Sequence, residues 1–186
     1  MRKALLTLSL LAVSVMSALG ARAVPYKLVF GSIDAFKEDA TATFEIVAKD
    51  ATWEKKQSLK SYFAEDFEKC VVDATESFVI AFNQNSNGLR INNEAQDAKY
   101  KIVFTATNYH CSVGTFYKKF VGMWGTMEVF DVATGEKVCE LELQGFLLGQ
   151  GDYVEKTAFV NAHFGYAEYL QERIKKNKLK LQEKKK

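Results

Sequence analysis

Residues 52–82 of the chain read TWEKKQSLKSYFAEDFEKCVVDATESFVIAF and contain its clearest periodic pattern. Apolar side chains recur at steps of three and four, which places them on one stripe of an α-helix: Leu59, Phe63, Phe67, Cys70, Val71, Ala74, Phe78 and Phe82. We expect Thr52 to cap the start of this helix and Gly88 to end it in the left-handed conformation. Glu65 is expected to pair with Lys69 four residues later. A long helix with one apolar stripe needs a broad apolar surface, which predicts a β-sheet elsewhere in the chain.

Alternating apolar and polar residues predict strands on both sides of this helix. The predicted strands are residues 26–30, 42–48, 89–91, 100–111, 126–132 and 137–143. The last two form the clearest hairpin, because a turn signal at 133–136 joins them. Residues 113–123 are less regular, and we interpret them as a loop or an irregular hairpin end.

A second amphipathic helix is predicted near the end of the chain. It starts at Asp152, which with Glu155 resembles a capping box, and its apolar stripe continues to Ile174. Two helices separated along the chain from a set of hairpin-connected strands indicate an α+β fold. The expected architecture is a two-layer sandwich, a mostly antiparallel sheet with two helices packed on one face.

The two ends of the chain are basic, whereas its body is acidic. Residues 1–23 have a basic start, an apolar core and a small-x-small sequence at 21–23, which predicts a signal peptide. Residues 24–174 are expected to form one domain and residues 175–186 a Lys-rich flexible tail. The first 23 residues carry +3 and residues 171–186 carry +6, so with an overall charge of +2 the body carries −7. We therefore expect a periplasmic or secreted protein of a Gram-negative envelope that does not bind nucleic acid and whose tail makes at most weak membrane-surface contact.

Three cysteines follow the predicted signal peptide: Cys70, Cys111 and Cys139. An oxidising compartment permits one disulfide among them, with three pairings open. Cys70 lies on the helix stripe, where a buried thiol is expected. Cys111 and Cys139 both lie on predicted strands and are the pair to test first.

No pattern in the chain predicts catalysis, a metal site or a cofactor. His110 and Cys111 are neighbours on a strand, so their side chains point to opposite faces and cannot readily share a proton. Glu140 and Glu142 share a strand face, where we expect them to be solvated. His163 is expected to be a structural residue of the second helix, and residues 149–151 a flexible turn rather than a phosphate loop.

The densest aromatic cluster of the chain comprises Tyr109, Phe116, Tyr117, Phe120 and Trp124. Such a cluster is either core packing or an exposed recognition patch. In the second case Lys118 and Lys119 would form its rim, and the candidate binding residues are Tyr117, Lys118, Lys119, Phe120 and Trp124.

The chain resembles a family of secreted proteins from Bacteroidetes, through Tyr100 to Phe104, Gly125 to Asp131, the turn at 134–137 and the helix end at 81–83. The arrangement is also similar to the α/β domain at the start of TolB and in curli-secretion-type lipoproteins. The resemblance implies envelope assembly or interaction rather than catalysis, although a lipidated Cys is absent here. We therefore expect a non-enzymatic module that binds an envelope protein or cell-surface component. The alternative is a binder of a small apolar ligand between helix and sheet.

Overall fold

A computed structural model describes residues 26–114, 117–145 and 151–179, which include one mixed sheet and two long helices. The helices are α1 (Leu59–Phe63), α2 (Phe67–Asn85) and α3 (Glu155–Lys175), and short 3₁₀ turns cover Asp34–Lys37 and Ala64–Asp66. The strands are β1 (Tyr26–Gly31), β2 (Thr41–Val47), β3 (Thr52–Trp53), β4 (Gln57–Ser58), β5 (Arg90–Ile91), β6 (Tyr100–Val113), β7 (Lys119–Asp131), β8 (Lys137–Leu143) and β9 (Gly151–Asp152). The predicted α+β class is confirmed.

The sheet is mostly antiparallel, with parallel pairing on one side. Its main strand order is β1-β8-β7-β6-β2-β5. The three neighbouring pairs β1–β8, β8–β7 and β7–β6 are antiparallel. Strand β2 runs parallel to both β6 and β5. A parallel pair cannot be closed by a tight turn, so the chain crosses over the sheet through α2 before it returns as β6.

The first long helix starts later than the sequence predicts. Thr52 does not cap it but lies in β3, because β3 pairs with β6 at Asn108 and Tyr109 and thereby keeps this segment extended. The helical cap is Ser58, whose hydroxyl oxygen accepts the Ser61 N–H at 3.0 Å. The helix is also interrupted at Ala64, where φ is 49°, and resumes at Phe67.

Two local expectations for α2 are wrong. Lys69 pairs with Asp73 at 2.5 Å, on the turn after it, rather than with Glu65. Gly88 does not adopt positive φ. It is needed instead because a Cβ there would lie 2.5 Å from the carbonyl oxygen of Lys37. The end of α2 is held by Asn83, whose side chain bonds both the N–H and the carbonyl of Ile91 at 2.8 Å.

Helix α3 begins later than predicted but ends at Lys175, next to the predicted last apolar position, Ile174. Asp152 belongs to β9, and its carboxylate accepts the N–H of the capping residue Val154 at 3.0 Å. At the other end the chain stays packed beyond Ile174, since Leu179 is buried in the core. Residues 180–186 of the predicted tail lie outside the described part.

The core lies between one face of the sheet and the two long helices. Phe78 of α2 stacks on Phe44 of β2, with ring centroids 4.3 Å apart. Phe159 of α3 packs against Tyr109 of β6 at 4.8 Å. We call this side of the sheet the helix face and the opposite side the outer face.

Residues 113–123 are more regular than the sequence suggests. Strands β6 and β7 pair without a break from Asn108–Trp124 to Val113–Lys119. Beyond Ala106 and Gly125 this β6–β7 ribbon extends past the ends of β2 and β8, which pair only as far as Thr105 and Gly125. Only the short strands β3 and β9 pair with its edges among the described residues. Among residues 26–114, 117–145 and 151–179, no helix has the length and apolar character needed to cross a membrane. The predicted signal peptide at 1–23 lies outside these residues.

Candidate functional site

The predicted aromatic cluster is divided between the core and two separate surfaces. Tyr109 is fully buried on the helix face. Val121 and Met123 are buried on the same face, so Phe120 and Trp124, which alternate with them, point to the outer face. Tyr117 lies at the tip of the β6–β7 ribbon. Phe116 lies outside the described residues.

The tip of the ribbon and the start of α3 together form an exposed apolar surface, which we call the hairpin-end patch. It consists of Val113, Tyr117, Lys118, Tyr153 and Val154. Tyr117 is 83 % exposed, and Val113, Tyr153 and Val154 are 62 %, 61 % and 56 % exposed. These are four of the eight large apolar side chains that are exposed in the described part of the chain. Half of the large exposed apolar side chains in the described part of the chain therefore lie at one end of the domain.

Strand pairing brings the two halves of this patch together. Lys119 faces both Val113 on β6 and Asp152 on β9, so Tyr153 emerges beside the ribbon. The Lys118 ammonium lies 5.9 Å from the centre of the Tyr153 ring. The loop is closed by the N–H of Gly114, which donates to the Lys118 carbonyl at 2.8 Å.

A network centred on Glu155 fixes the ribbon to the helices. Lys119 lies on the helix face and donates to the Glu155 carboxylate at 2.9 Å. The same carboxylate accepts the hydroxyl of Tyr62 on α1. Tyr62 stacks on Trp53, with ring centroids 4.5 Å apart. A carboxylate in the first turn of α3 is also stabilised by the helix dipole. Lys119, one of the predicted binding residues, thus connects β7 to the start of α3.

A second candidate site is an open groove on the outer face, with a volume of about 590 Å³. Phe30 of β1 and Trp124 of β7 both line it, and Phe30 is 48 % exposed. Thr107, Thr126, Glu140 and Glu142 provide its polar lining. Glu142 pairs with Lys27 at 3.6 Å, and Glu140 pairs with Lys137. Lys137 also pairs with Glu128 at 3.0 Å, so the predicted solvated carboxylate pair is on the outer face and shares its lysines with a third carboxylate.

The core contains one histidine, held by two hydrogen bonds. His163 is fully buried in α3. Its Nδ1 lies 2.9 Å from the Phe159 carbonyl, which can only accept, so Nδ1 carries the proton. Its Nε2 therefore accepts the Tyr109 hydroxyl at 3.2 Å. Burial lowers the pKa of His163 to about 4 and raises that of Tyr109. His163 is thus a satisfied structural residue, as the sequence indicates.

All three cysteines are free thiols in this structure. Cys139 is level with Val129 on β7 and so with Ile102 on β6, whereas Cys111 lies nine residues further along β6. That offset corresponds to roughly 30 Å, whereas a disulfide requires Cα atoms within about 7 Å. Cys111 and Cys139 are therefore not joined. Burial raises the pKa of Cys139 to about 12.

The other catalytic and metal candidates stay apart. His110 is on the exposed side of β6 with Nδ1 3.9 Å from Glu54, and Cys111 faces the helices. Residues 149 and 150 of the glycine turn lie outside the described part. Among the described residues, no group of three or more His, Cys, Asp or Glu side chains is placed to hold a metal ion.

Sequence reasoning missed Val113, Tyr153 and Val154 at the hairpin end, and Phe30 in the groove. Phe30 occupies an apolar position in a predicted strand, which indicates burial, and Val113 begins the segment predicted to be irregular. Tyr153 and Val154 lie at the start of the predicted second helix. The signal for exposure lies only in the pairing of β7 with β9 and in the β-bulge between Leu28 and Phe30, both of which are long-range features.

No protein-family profile matches the chain, and no curated protein matches it. Several solved structures are similar in fold. The PelC dodecamer from Paraburkholderia phytofirmans has 16 % identity, a TM-score of 0.45 and coverage of 77 % of this chain and 96 % of that one. A Xanthomonas campestris protein of family DUF330 has 9 % identity, a TM-score of 0.41 and coverage of 80 % and 95 %. A minor lipoprotein from Acinetobacter baumannii has 13 % identity, a TM-score of 0.38 and coverage of 76 % and 96 %.

These similarities are too distant to transfer a role to this chain. The similar structures are of bacterial proteins, and one of them is a lipoprotein. The comparisons do not show the predicted resemblance to a Bacteroidetes family or to TolB. The candidate sites above are therefore interpreted from their own geometry.

Proposed function

We propose that this is a non-enzymatic protein of the bacterial envelope, periplasmic or secreted, that docks on another envelope protein through the hairpin-end patch. The single observation that supports this role best is the convergence of Val113, Tyr117, Tyr153 and Val154 at one exposed end of the domain. Tyrosine is one of the residue types enriched among the side chains that supply most of the binding energy at protein interfaces.

The rigid attachment of the patch supports the same role. Glu155 connects the ribbon to α1 and α3, so Tyr117 and Tyr153 are presented on a supported scaffold rather than on a free loop. A preorganised surface loses less conformational entropy on binding than a flexible one. The acidic body supports a protein partner rather than nucleic acid.

The alternative, a small apolar ligand held between helices and sheet, has less support. Phe78, Phe159 and Tyr109 fill that layer and are each at most 1 % exposed. The groove described above lies on the opposite face and is lined by charged as well as apolar side chains.

Site-specific photocrosslinking in exporting cells tests the proposal. A photoreactive residue at Tyr117 or Tyr153 should give a discrete protein adduct in the envelope fraction. The same residue at Ile80, which is 52 % exposed on α2, is the matched control and should give none. Adducts of equal yield at Ile80, or none at the patch, would contradict the proposed docking surface.

A further inference from the structure

We propose that the outer-face groove binds a neutral oligosaccharide, with Phe30 and Trp124 as stacking platforms. This site is separate from the hairpin-end patch and does not depend on it. The groove volume of about 590 Å³ lies within the range of small-ligand sites. Its chemistry, two aromatic side chains at the ends and hydrogen-bonding groups between, decides the class of ligand.

The two aromatic side chains are far enough apart to hold an extended ligand. Phe30 is level with Glu140 on β8, and Glu140 is level with Glu128 on β7. Trp124 lies four residues along β7 from Glu128 and two strands away from β1. The offset is roughly 14 Å along the strands and roughly 10 Å across them. One sugar ring cannot span that distance, whereas a chain of a few sugar residues can.

Polar groups on the floor of the groove match sugar hydroxyls. The carboxylates of Glu140 and Glu142 accept hydrogen bonds, and the lysines paired with them, Lys137 and Lys27, donate. Thr126 contributes a hydroxyl to the lining. Thr107 donates its hydroxyl proton to the Trp124 carbonyl at 3.2 Å, so its oxygen still accepts. Alternating donors and acceptors suit a ligand whose every hydroxyl does both.

The charge balance of the groove disfavours anionic ligands. Lys137 is shared by Glu140 and Glu128, and Lys27 pairs with Glu142, so three carboxylates share two lysines and a small negative excess remains. A wholly apolar ligand would desolvate those ion pairs without replacing their contacts with water. The apolar C–H face of a pyranose covers an aromatic ring while its hydroxyls solvate the charged groups, so a neutral sugar meets both requirements.

The test is a titration of the purified mature chain with neutral and anionic oligosaccharides. The neutral probes are cellotriose, chitotriose and maltotriose, and a heparin tetrasaccharide is the anionic probe. Binding is followed by backbone NMR shifts and by fluorescence, since Trp124 is half-buried in the groove whereas Trp53 is buried in the core. We expect saturable millimolar binding of at least one neutral probe, with shifts in β1, β7 and β8.

Two variants and a matched control test whether the oligosaccharide binds in the outer-face groove. Phe30→Ala and Trp124→Ala should each raise the dissociation constant about two- to tenfold, because each removes one stacking contact. Phe130→Ala changes the same residue type on the same strand face outside the groove lining, and it should leave binding unchanged. The proposal is overturned by no saturable binding of the neutral probes, by tighter binding of the heparin tetrasaccharide, or by equal effects of all three variants.

Discussion

Protonation of His163 is expected to destabilise the folded protein as the pH falls below neutral. The imidazole is fully buried, donates to the Phe159 carbonyl and accepts from the Tyr109 hydroxyl. The groups around it are the aromatic rings of Phe104, Tyr109 and Phe159, so no carboxylate among its described ring and hydrogen-bond contacts stabilises a positive charge. Burial therefore lowers its pKa from 6.5 to about 4.

The sign and size of the effect follow from this shift. His163 has a lower pKa in the folded protein than in the unfolded chain, so the unfolded chain binds more protons between the two values. The free energy of unfolding is therefore unaffected above the unfolded pKa and decreases as the pH falls toward the folded pKa. Between about pH 7.5 and about pH 4.5 the loss is about 2 to 3 kcal/mol. Ion-paired carboxylates act at lower pH. For example, hydrogen bonding from Lys99 lowers the pKa of Glu38 from 4.5, so Glu38 loses its contribution below that value.

Urea unfolding at a series of pH values measures this loss. His163→Gln keeps an acceptor for Tyr109 and a donor for the Phe159 carbonyl but does not titrate. Over the same pH interval the variant should therefore lose about 2 to 3 kcal/mol less free energy of unfolding than the wild type. His110→Gln replaces the other histidine, which is exposed, and serves as the matched variant that leaves the buried imidazole in place. If His163→Gln and the wild type lose stability in parallel, the buried imidazole is not the cause.

Three further predictions concern the core, the thiols and the ribbon. Phe78→Ala should destabilise the protein by about 3 to 5 kcal/mol in urea, because it leaves a cavity against Phe44, whereas Ile80→Ala on the exposed side of α2 should cost less than about 1 kcal/mol. Equal losses would contradict the orientation of α2. Cys139, with a pKa raised to about 12 by burial, should resist iodoacetamide until the protein unfolds, and peptide mapping should find no disulfide to Cys111. Rapid native alkylation of Cys139 would refute its burial. Glu155→Gln should increase amide exchange in β9 and the end of β7 while the core of β8 stays protected, and uniform protection would show that Glu155 does not hold the ribbon.

The layer architecture could be predicted from the sequence because it depends on local periodicity. The alternation in β2, β6 and β8 and the stripe in α2 each reflect one buried face, and each strand is found where the pattern predicts it. The helix start could not be predicted in this way. Residues 52–58 have a plausible helical cap, but pairing of β3 with the distant β6 outweighs that local preference.

The candidate sites were less predictable than the fold. Tyr117 and Lys118 lie in a loop signalled by glycine and aromatic residues, and they are exposed as one of the two interpretations expects. Tyr153 joins them only because β9 pairs with β7, and no pattern within residues 151–155 indicates that pairing. Cys111 and Cys139 both lie on strands, but their separation depends on register across three strands, which composition cannot determine.

The account depends on both long helices covering one face of the sheet while the hairpin end remains in solvent. Hydroxyl-radical footprinting of tyrosines tests this directly, since it compares one residue type across the molecule. Tyr117 and Tyr153 should be oxidised fastest, and Tyr109 and Tyr166, which are fully buried, should be oxidised slowest. Oxidation of Tyr109 at the rate of Tyr117 in the folded protein would contradict the two-layer arrangement and the surfaces derived from it.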